Sequence, residues 1–279
     1  MATLFIVSTP IGNLGDLSPR AAETLRTVSR ILAEDTRRTR VLADHAESRA
    51  PLVSLHAHNE AERVERVLDW LEGGEDLALV SDAGTPLVSD PGGRLVHAVT
   101  EAGHSVIPIP GPSAVLAALV GSGLPTDRFT FLGFPERKGQ ERRRLLERVA
   151  ASEEAVVLFE SPQRLVRLLN DLSQACGPGR RVSVARELTK LHEEWTRGTL
   201  EEAAAYYGQH PPRGEVSLVV GPAPDDATPG VDLEEQARVL ARGLLGEGGK
   251  ASAVAKEVAR RLALPRNTAY RIVQEISEA

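Results

Sequence analysis

The sequence predicts a parallel five-stranded α/β domain, a second α/β domain with a mixed sheet, and a small helical domain resembling a helix-turn-helix. Three observations carry that expectation. Over residues 1–123, five apolar runs each end at a Gly, Pro or polar turn and hand over to a helical pattern, as in a parallel sheet with right-handed crossovers. At Gly123-Leu124-Pro125-Thr126-Asp127 the composition shifts, and the runs over 124–222 have fewer helices between them, so hairpins are expected. After the Pro/Gly/Asp-rich linker Gly221 to Gly230, residues 231–279 keep only helical periodicity.

The first run, Leu4 to Val7, ends in Ser8-Thr9-Pro10-Ile11-Gly12-Asn13, and Ser18-Pro19 then opens a helix as N-cap and first residue. This loop has neither the GxGxxG of a dinucleotide site nor a P-loop lysine, so a nucleotide phosphate is not its expected cargo. The second run, Arg30 to Ala33, ends in Glu34-Asp35-Thr36-Arg37-Arg38-Thr39-Arg40. Acids followed by arginines describe either a solvated helix start or a site wall with a carboxylate for proton work and arginines for a polyanion. The third, Leu52 to Leu55, leads into His56 and His58, which have no third ligand at a metal-binding spacing, so no metal is expected. The fourth, Leu77 to Val80, opens into Ser81-Asp82-Ala83-Gly84-Thr85-Pro86 and Asp90-Pro91-Gly92. Small residues there admit a ligand to the backbone, Gly84 permits positive φ, and prolines stiffen the loop. Such a loop at the carboxyl end of a parallel strand is where open α/β sheets bind small molecules. The fifth, Val106 to Ile109, breaks at Pro110-Gly111-Pro112-Ser113-Ala114, where Ser113 is placed to cap the next helix.

Past the linker, Phe129 to Leu132 leads into a stretch with six basic and three acidic side chains between Glu136 and Arg148, including Lys138, Arg142, Arg143 and Arg144. That surplus is either a solvated helix face or a phosphate contact. Ala155 to Phe159 ends in Glu160-Ser161-Pro162, Arg181 to Ala185 ends in Arg186-Glu187-Leu188-Thr189-Lys190, and Trp195 to Gly198 and Glu215 to Val220 complete the second sheet. In the tail, two helices joined by a tight turn at Ala263 to Arg266 carry Lys250, Arg260, Arg261, Arg266 and Arg271, a second candidate RNA contact or else a charged packing face.

Composition narrows the class. The chain is 42% apolar with a formal charge of -6, so a polyanion partner must be met by local basic patches rather than a basic coat. Cys176 stands alone, which excludes an intramolecular disulfide and a thiolate zinc cage and suits a reducing cytoplasm. No signal peptide or run of about 18 apolar residues is legible, so a cytosolic protein is expected.

The segments TPIGNLGDLS, AEDTRRT, HAHNE, LVSDAGTPLVSDPG, PGPSA, GFPERKG, FESPQRL, ARELTKLHEE and GEVSLVV, in this order, resemble the bacterial small-subunit ribosomal RNA methyltransferase I family of the tetrapyrrole (corrin and porphyrin) methylase superfamily. The resemblance implies S-adenosylmethionine-dependent methylation of a cytidine ribose 2′-hydroxyl in the decoding region of 16S rRNA, a cofactor cleft between two α/β domains, and a homodimer. Carried over by motif, it assigns cofactor contacts to Pro10 or Ile11, to Gly84, Thr85 and Val88, to Ser113-Ala114, to Leu158-Phe159 and to Ser217-Leu218. Thr85 replaces an aspartate of the superfamily's loop, and Asp82 is the substitute considered. For the chemistry, polar strand ends Glu34, Asp35, Arg186, Glu187 and Lys190 are the catalytic candidates, with an acid or a lysine of lowered pKa taking the proton. Arg37, Arg38 and Arg186 are expected to hold RNA; the alternative is that these groups pair with one another. Rival readings are a tetrapyrrole-ring methyltransferase on the same fold, and a ribosome-binding module with an inactive cofactor pocket.

Overall fold

The computed structural model describes residues 2–224, 233–246, 251–262, 264 and 266–277. Residues 1–222 and 223–279 form two compact units.

In the first unit, β1 (Thr3–Val7), α1 (Pro19–Thr27), β2 (Arg30–Ala33), α2 (Thr36–His45), β3 (Leu52–Ser54), α3 (Glu60–Glu72), β4 (Leu77–Val80), α4 (Gly93–Glu101) and β5 (Ser105–Ile109) alternate along the chain. The strands form a five-stranded sheet in the order β3-β2-β4-β1-β5, parallel at every pairing. All four residues of β4 are buried. Ala78 and Val80 pack with Ala21, Leu25 and Leu42 of α1 and α2. Leu77 and Leu79 pack with Val67, Leu71, Leu95 and Val99 of α3 and α4. A strand covered on both faces reads as a continuous apolar run, which is why this sheet is legible in the sequence. The helix starts follow local chemistry: Ser18 accepts from Ala21 N ahead of Pro19, and Asp35 accepts from Arg37 N.

The helices after β1 and β2 cover one face and those after β3 and β4 the other. Adjacent strands β1 and β4 therefore send their loops in opposite directions, leaving a crevice at the carboxyl edge between them.

The helix α5 (Ala114–Gly121) leaves β5 and leads to a second sheet built from β6 (Phe129–Phe131), β7 (Ala155–Glu160), β8 (Arg181–Arg186), β9 (Glu194–Thr199) and β10 (Val216–Val220). Its order is β6-β7-β10-β8-β9, with β6 and β7 parallel and the other pairs antiparallel, the mixed sheet expected. The helices α6 (Gln140–Ala150), α7 (Pro162–Cys176) and α8 (Leu200–Gln209) cover one face around Val156, Leu158, Val184 and Leu218. On the other face Val157, Ala185 and Val219 pack with Val115, Ala118 and Leu119 of α5 and with Ile11.

The second unit holds α9 (Leu233–Gly246), α10 (Ala251–Arg261) and α11 (Arg266–Ser277) around their own core of Ala237, Ala241, Val254, Val258, Ile272 and Val273. The turn expected at Ala263 to Arg266 between α10 and α11 falls partly outside the described residues, since 263 and 265 are not among them. The linker residues 225–232 and Lys250 lie outside the described residues, as do the side chains of Arg260 and Arg266.

Candidate functional site

The crevice between β1 and β4 becomes a cavity of about 390 Å³ where the second sheet faces it. Two backbone hydrogen bonds, Thr9 N to Gly84 O at 2.8 Å and Gly84 N to Thr9 O at 3.1 Å, clip the β1 and β4 loops together. Thr85 Oγ1 donates to Pro112 O at 3.2 Å and accepts from Ser8 Oγ at 3.2 Å, so three loops share one hydroxyl. Gly84 sits at φ 79°, and a Cβ there would lie 3.2 Å from Ile11 Cγ2. The Thr85 hydroxyl therefore stitches these loops together.

Of the cofactor candidates, Ile11, Asp82, Gly84, Thr85, Val88, Ser113 and Ala114 line the cavity from the first sheet and α5, and Phe159 and Ser217 line it from the second sheet. Leu158 and Leu218 do not; both are fully buried in the core under α7 and α8. The correction follows from strand geometry, because neighbours along a strand point to opposite faces, so only one residue of each pair faces the cavity. Pro10 is likewise absent from the wall, which Ile11 supplies. Sequence reasoning missed Ser89, Asp90, Phe134, Leu188 and Glu215 and left Glu160 unassigned, although all six line the cavity. Asp90 and Glu160 were findable, since Asp90 sits in the Gly/Pro-rich loop after β4 and Glu160 ends β7 just before Ser161-Pro162.

Backbone strain concentrates on two loops of the first unit. Leu87 and Ser89 adopt φ of 74° and 71°, and Glu187 and Thr189 adopt 51° and 66°, conformations that cost non-glycine residues energy and persist where the surroundings impose them.

The five catalytic candidates stand outside the wall. Asp35 caps α2, and Arg37 binds both of its oxygens at 3.1 and 2.7 Å, which holds its carboxyl far below the usual range. Arg186 is committed to Glu194 across β8 and β9 and to Arg213 O, ties that hold the strands together. Lys190 pairs with Glu187 at 2.9 Å and Glu215 at 3.2 Å. Burial opposes its charge, but those carboxylates outweigh burial and raise its pKa, which overturns the expectation of a lowered, proton-accepting lysine. Its stem lies over Gly12, where a Cβ would collide with it, so this ion-pair cluster braces the β1 loop. The alternative, that these groups pair with one another across the domain interface, is not what the ion pairs show: Asp35 pairs locally with Arg37, Lys190 with Glu187 and Glu215, and Arg186 with Glu194.

Glu34 is the exception. Burial first, then the charges of Asp82 and Asp90, raise its pKa. Asp90, on the cavity wall, is also raised, chiefly by burial and secondarily by Asp82, against a hydrogen bond from Ser81. Asp82 itself pairs with Arg38 at 3.2 Å and accepts from Asp35 N at 3.0 Å. Glu160 is 2% exposed; its Oε1 binds Arg164 and Ser161 N, while its Oε2 is buried without a hydrogen-bond partner.

The expected RNA contacts divide. Arg142 is 6% exposed and binds Asp171 and Glu136 O, so its guanidinium is committed within the protein. Lys138, Arg143 and Arg144 are exposed, Arg144 paired with Glu141. In the second unit Arg261 pairs with Glu257 and Arg271 with Glu275. Among the described residues no group of three His, Cys, Asp or Glu side chains is placed to hold a metal ion, and no helix is long and apolar enough to cross a membrane.

The family model for tetrapyrrole (corrin/porphyrin) methylases matches residues 3–204. A protein of Synechocystis sp. named ribosomal RNA small subunit methyltransferase I is 46% identical over 276 residues, covering 99% of each chain. A Xylella fastidiosa protein of the same name is 47% identical over 271 residues, covering 96% of this chain and 97% of its own. Among solved structures, uroporphyrin-III C-methyltransferase from Thermus thermophilus, complexed with S-adenyl homocysteine, aligns with a TM-score of 0.57 over 79% of this chain and 97% of its own. At 22% identity that likeness speaks for the fold alone.

Proposed function

The chain belongs to the ribosomal RNA small subunit methyltransferase I family within the tetrapyrrole methylases, and from that premise we propose that it transfers a methyl group from S-adenosylmethionine to RNA of the small ribosomal subunit. The acceptor assigned is the 2′-oxygen of a cytidine in the decoding region of 16S rRNA, with the reaction taking place in the cytoplasm. The observation that carries the reading is likeness over nearly the whole chain to relatives of that name, with the cavity at the switch point of the first sheet.

The cavity fits the cofactor by its own chemistry. Gly84 and Ala114 keep two loops low, so a ligand meets backbone, while Val88, Phe159 and Leu188 offer apolar walls. Its volume lies within the range of small-molecule sites. Asp82, Asp90, Glu160 and Glu215 line it with Arg38 as the lone cation of the wall, a balance that suits a cationic ligand. The unpartnered Glu160 Oε2 supplies a buried acceptor for a hydroxyl or amino donor.

Bound S-adenosylmethionine supplies a methyl made electrophilic by its sulfonium, so the protein has to position the acceptor oxygen, exclude water and take up a proton. Asp90 is the residue assigned to the proton: it lies on the wall, and its raised pKa makes it a better base than an ordinary aspartate. Glu34 is assigned a supporting role through its charge on the Asp82–Asp90 pair. Lys190, cationic between Glu187 and Glu215, holds the β1 and β8 loops in register.

The protein is further assigned as a homodimer. The helix α5 is apolar on all sides, yet Leu116 and Val120 are 51% and 73% exposed, and Ile107 of edge strand β5 is also exposed. A helix apolar all round is normally buried, and a second copy would bury this one.

The decisive experiment incubates the protein with labelled S-adenosylmethionine and undermethylated small subunits or their rRNA, then maps the label. Label on one cytidine ribose supports the assignment; label on a base corrects the acceptor, and unlabelled rRNA overturns the reading.

A further inference from the structure

A second cleft of about 300 Å³ adjoins the cofactor cavity and shares Ser161 with it. It is lined by Arg137, Arg142, Ser161, Gln163, Arg164 and Arg167. Four guanidiniums here meet two carboxylates, Asp171 and Glu160, in a chain whose formal charge is -6. Such a local cationic surplus is what a polyanion requires of an acidic protein.

The four arginines divide by what they touch. Arg142 is spent on Asp171 and Glu136 O. Arg164 donates to Ser161 Oγ at 3.1 Å and Pro135 O at 3.4 Å and pairs with Glu160, which places it in the wall between the two cavities. Arg137 makes no hydrogen bond or ion pair among the described residues and is exposed. Arg167 approaches only Asp171, at 4.0 Å, with its side chain 65% exposed. Two guanidiniums are therefore held as scaffold and two have donors to offer. The cleft also opens on the first turn of α7, whose N-cap Ser161 makes no side-chain capping hydrogen bond, so the positive end of the helix dipole adds to the field.

We propose that Arg137 and Arg167, backed by Arg164, bind a backbone phosphodiester of the substrate RNA beside the target nucleotide. This rests on the rRNA methyltransferase reading and names the part of the protein that seats its substrate. Planar guanidiniums pair with phosphate oxygens two at a time, so the pair fixes orientation as well as adding affinity. Because the cleft and the cofactor cavity share Ser161, a phosphate held here sets the neighbouring ribose against the opening of that cavity. Arg164 then relays position to Glu160.

The test compares the full-length protein with the double variant Arg137→Ala, Arg167→Ala, with the charge-keeping Arg137→Lys, Arg167→Lys, and with Arg20→Ala at an exposed position of α1 as a charge control. Methyl transfer to rRNA, RNA affinity against salt, calorimetric affinity for S-adenosylmethionine and thermal stability are measured for each. The alanine pair should raise the KM for rRNA about tenfold and flatten the salt slope of RNA binding by about 0.7 for each phosphate no longer neutralised. Cofactor affinity and melting temperature should stay at wild type, and the lysine pair should recover most of the salt slope. An unchanged KM and salt slope, or an equal loss in Arg20→Ala, overturns the site while leaving the methyltransferase reading intact. A wild-type protein that labels no rRNA removes both.

Discussion

The two sheets of the first unit contribute to one cavity in different ways. The parallel sheet offers loops: its inner strands are covered on both faces, and only their carboxyl ends reach the ligand, as backbone and small side chains at Gly84, Thr85, Ser113 and Ala114. The mixed sheet offers a face: one side packs under α6, α7 and α8, and alternate residues of the other side, Phe159 and Ser217, look into the cavity. Loop-built walls tolerate little added volume, whereas a face-built wall tolerates substitution on one parity of each strand and resists it on the other. Ala114→Phe should therefore abolish detectable S-adenosylmethionine binding by calorimetry, with melting close to wild type. Gly84→Val should abolish it too but also lose stability, because a β-branched residue at φ 79° is strained and its Cβ meets Ile11. Undiminished affinity in both variants would remove the loops from the site.

Proton handling sharpens the same contrast, since Asp90 belongs to the loop side. Asp90→Asn should lower single-turnover methyl transfer by about 10²- to 10⁴-fold, the usual weight of a general base, with cofactor and RNA affinity retained. In the wild type the rate should rise with pH through a pKa above the ordinary aspartate value and then level off, because the raised carboxyl must lose its proton before accepting another. A variant with wild-type rate and the same rising limb would return the role to Glu34.

The face side is tested by neighbours on one strand. Leu158→Ala should destabilise the fold by about 2–5 kcal/mol while leaving cofactor affinity intact, since it opens a hole in a close-packed core. Phe159→Ala should do the reverse, weakening cofactor binding with the smaller stability loss expected of a half-buried ring. Equal effects from both would mean that strand parity does not divide core from site.

That pair also marks how far the sequence is legible. The parallel sheet could be read strand by strand, because each doubly buried run announces itself and each loop carries Gly, Pro and small polar residues. Parity in the mixed sheet could not, because LF in β7 and SL in β10 are compatible with either face until register is known; Val216 opposite Glu160 and Ser217 opposite Phe159 settle it. Charged residues were the least legible. A run such as Arg142-Arg143-Arg144 reads as one patch, but helix geometry buries the first against Asp171 and exposes the others. Lys190 reads as a strand-end base until two carboxylates from separate loops are found around it. In each case the deciding partner lies far along the chain or on the other side of a turn.

The smallest expected effect concerns the acids that crowd the loop side. Glu34 and Asp90 both have raised pKa values, with Asp82 contributing to each after burial. A carboxyl raised on folding holds its proton to higher pH in the native state than in the unfolded chain. Between the ordinary carboxylate range and the raised value the native state binds more protons, so stability falls as pH rises across that window. Arg38 faces the same cluster and partly offsets the repulsion through Asp82. Asp82→Asn removes one charge while keeping an oxygen to accept from Asp35 N, so the repulsion on Glu34 and Asp90 is relieved where they ionise and little changes where they are protonated. The stability of the variant relative to wild type, followed by denaturant unfolding without cofactor, should therefore improve steadily from acid pH towards neutrality. A difference that stays flat, or that worsens with rising pH, would mean that pairing with Arg38 outweighs repulsion, and that the loop acids are held for structure rather than kept poised for proton transfer.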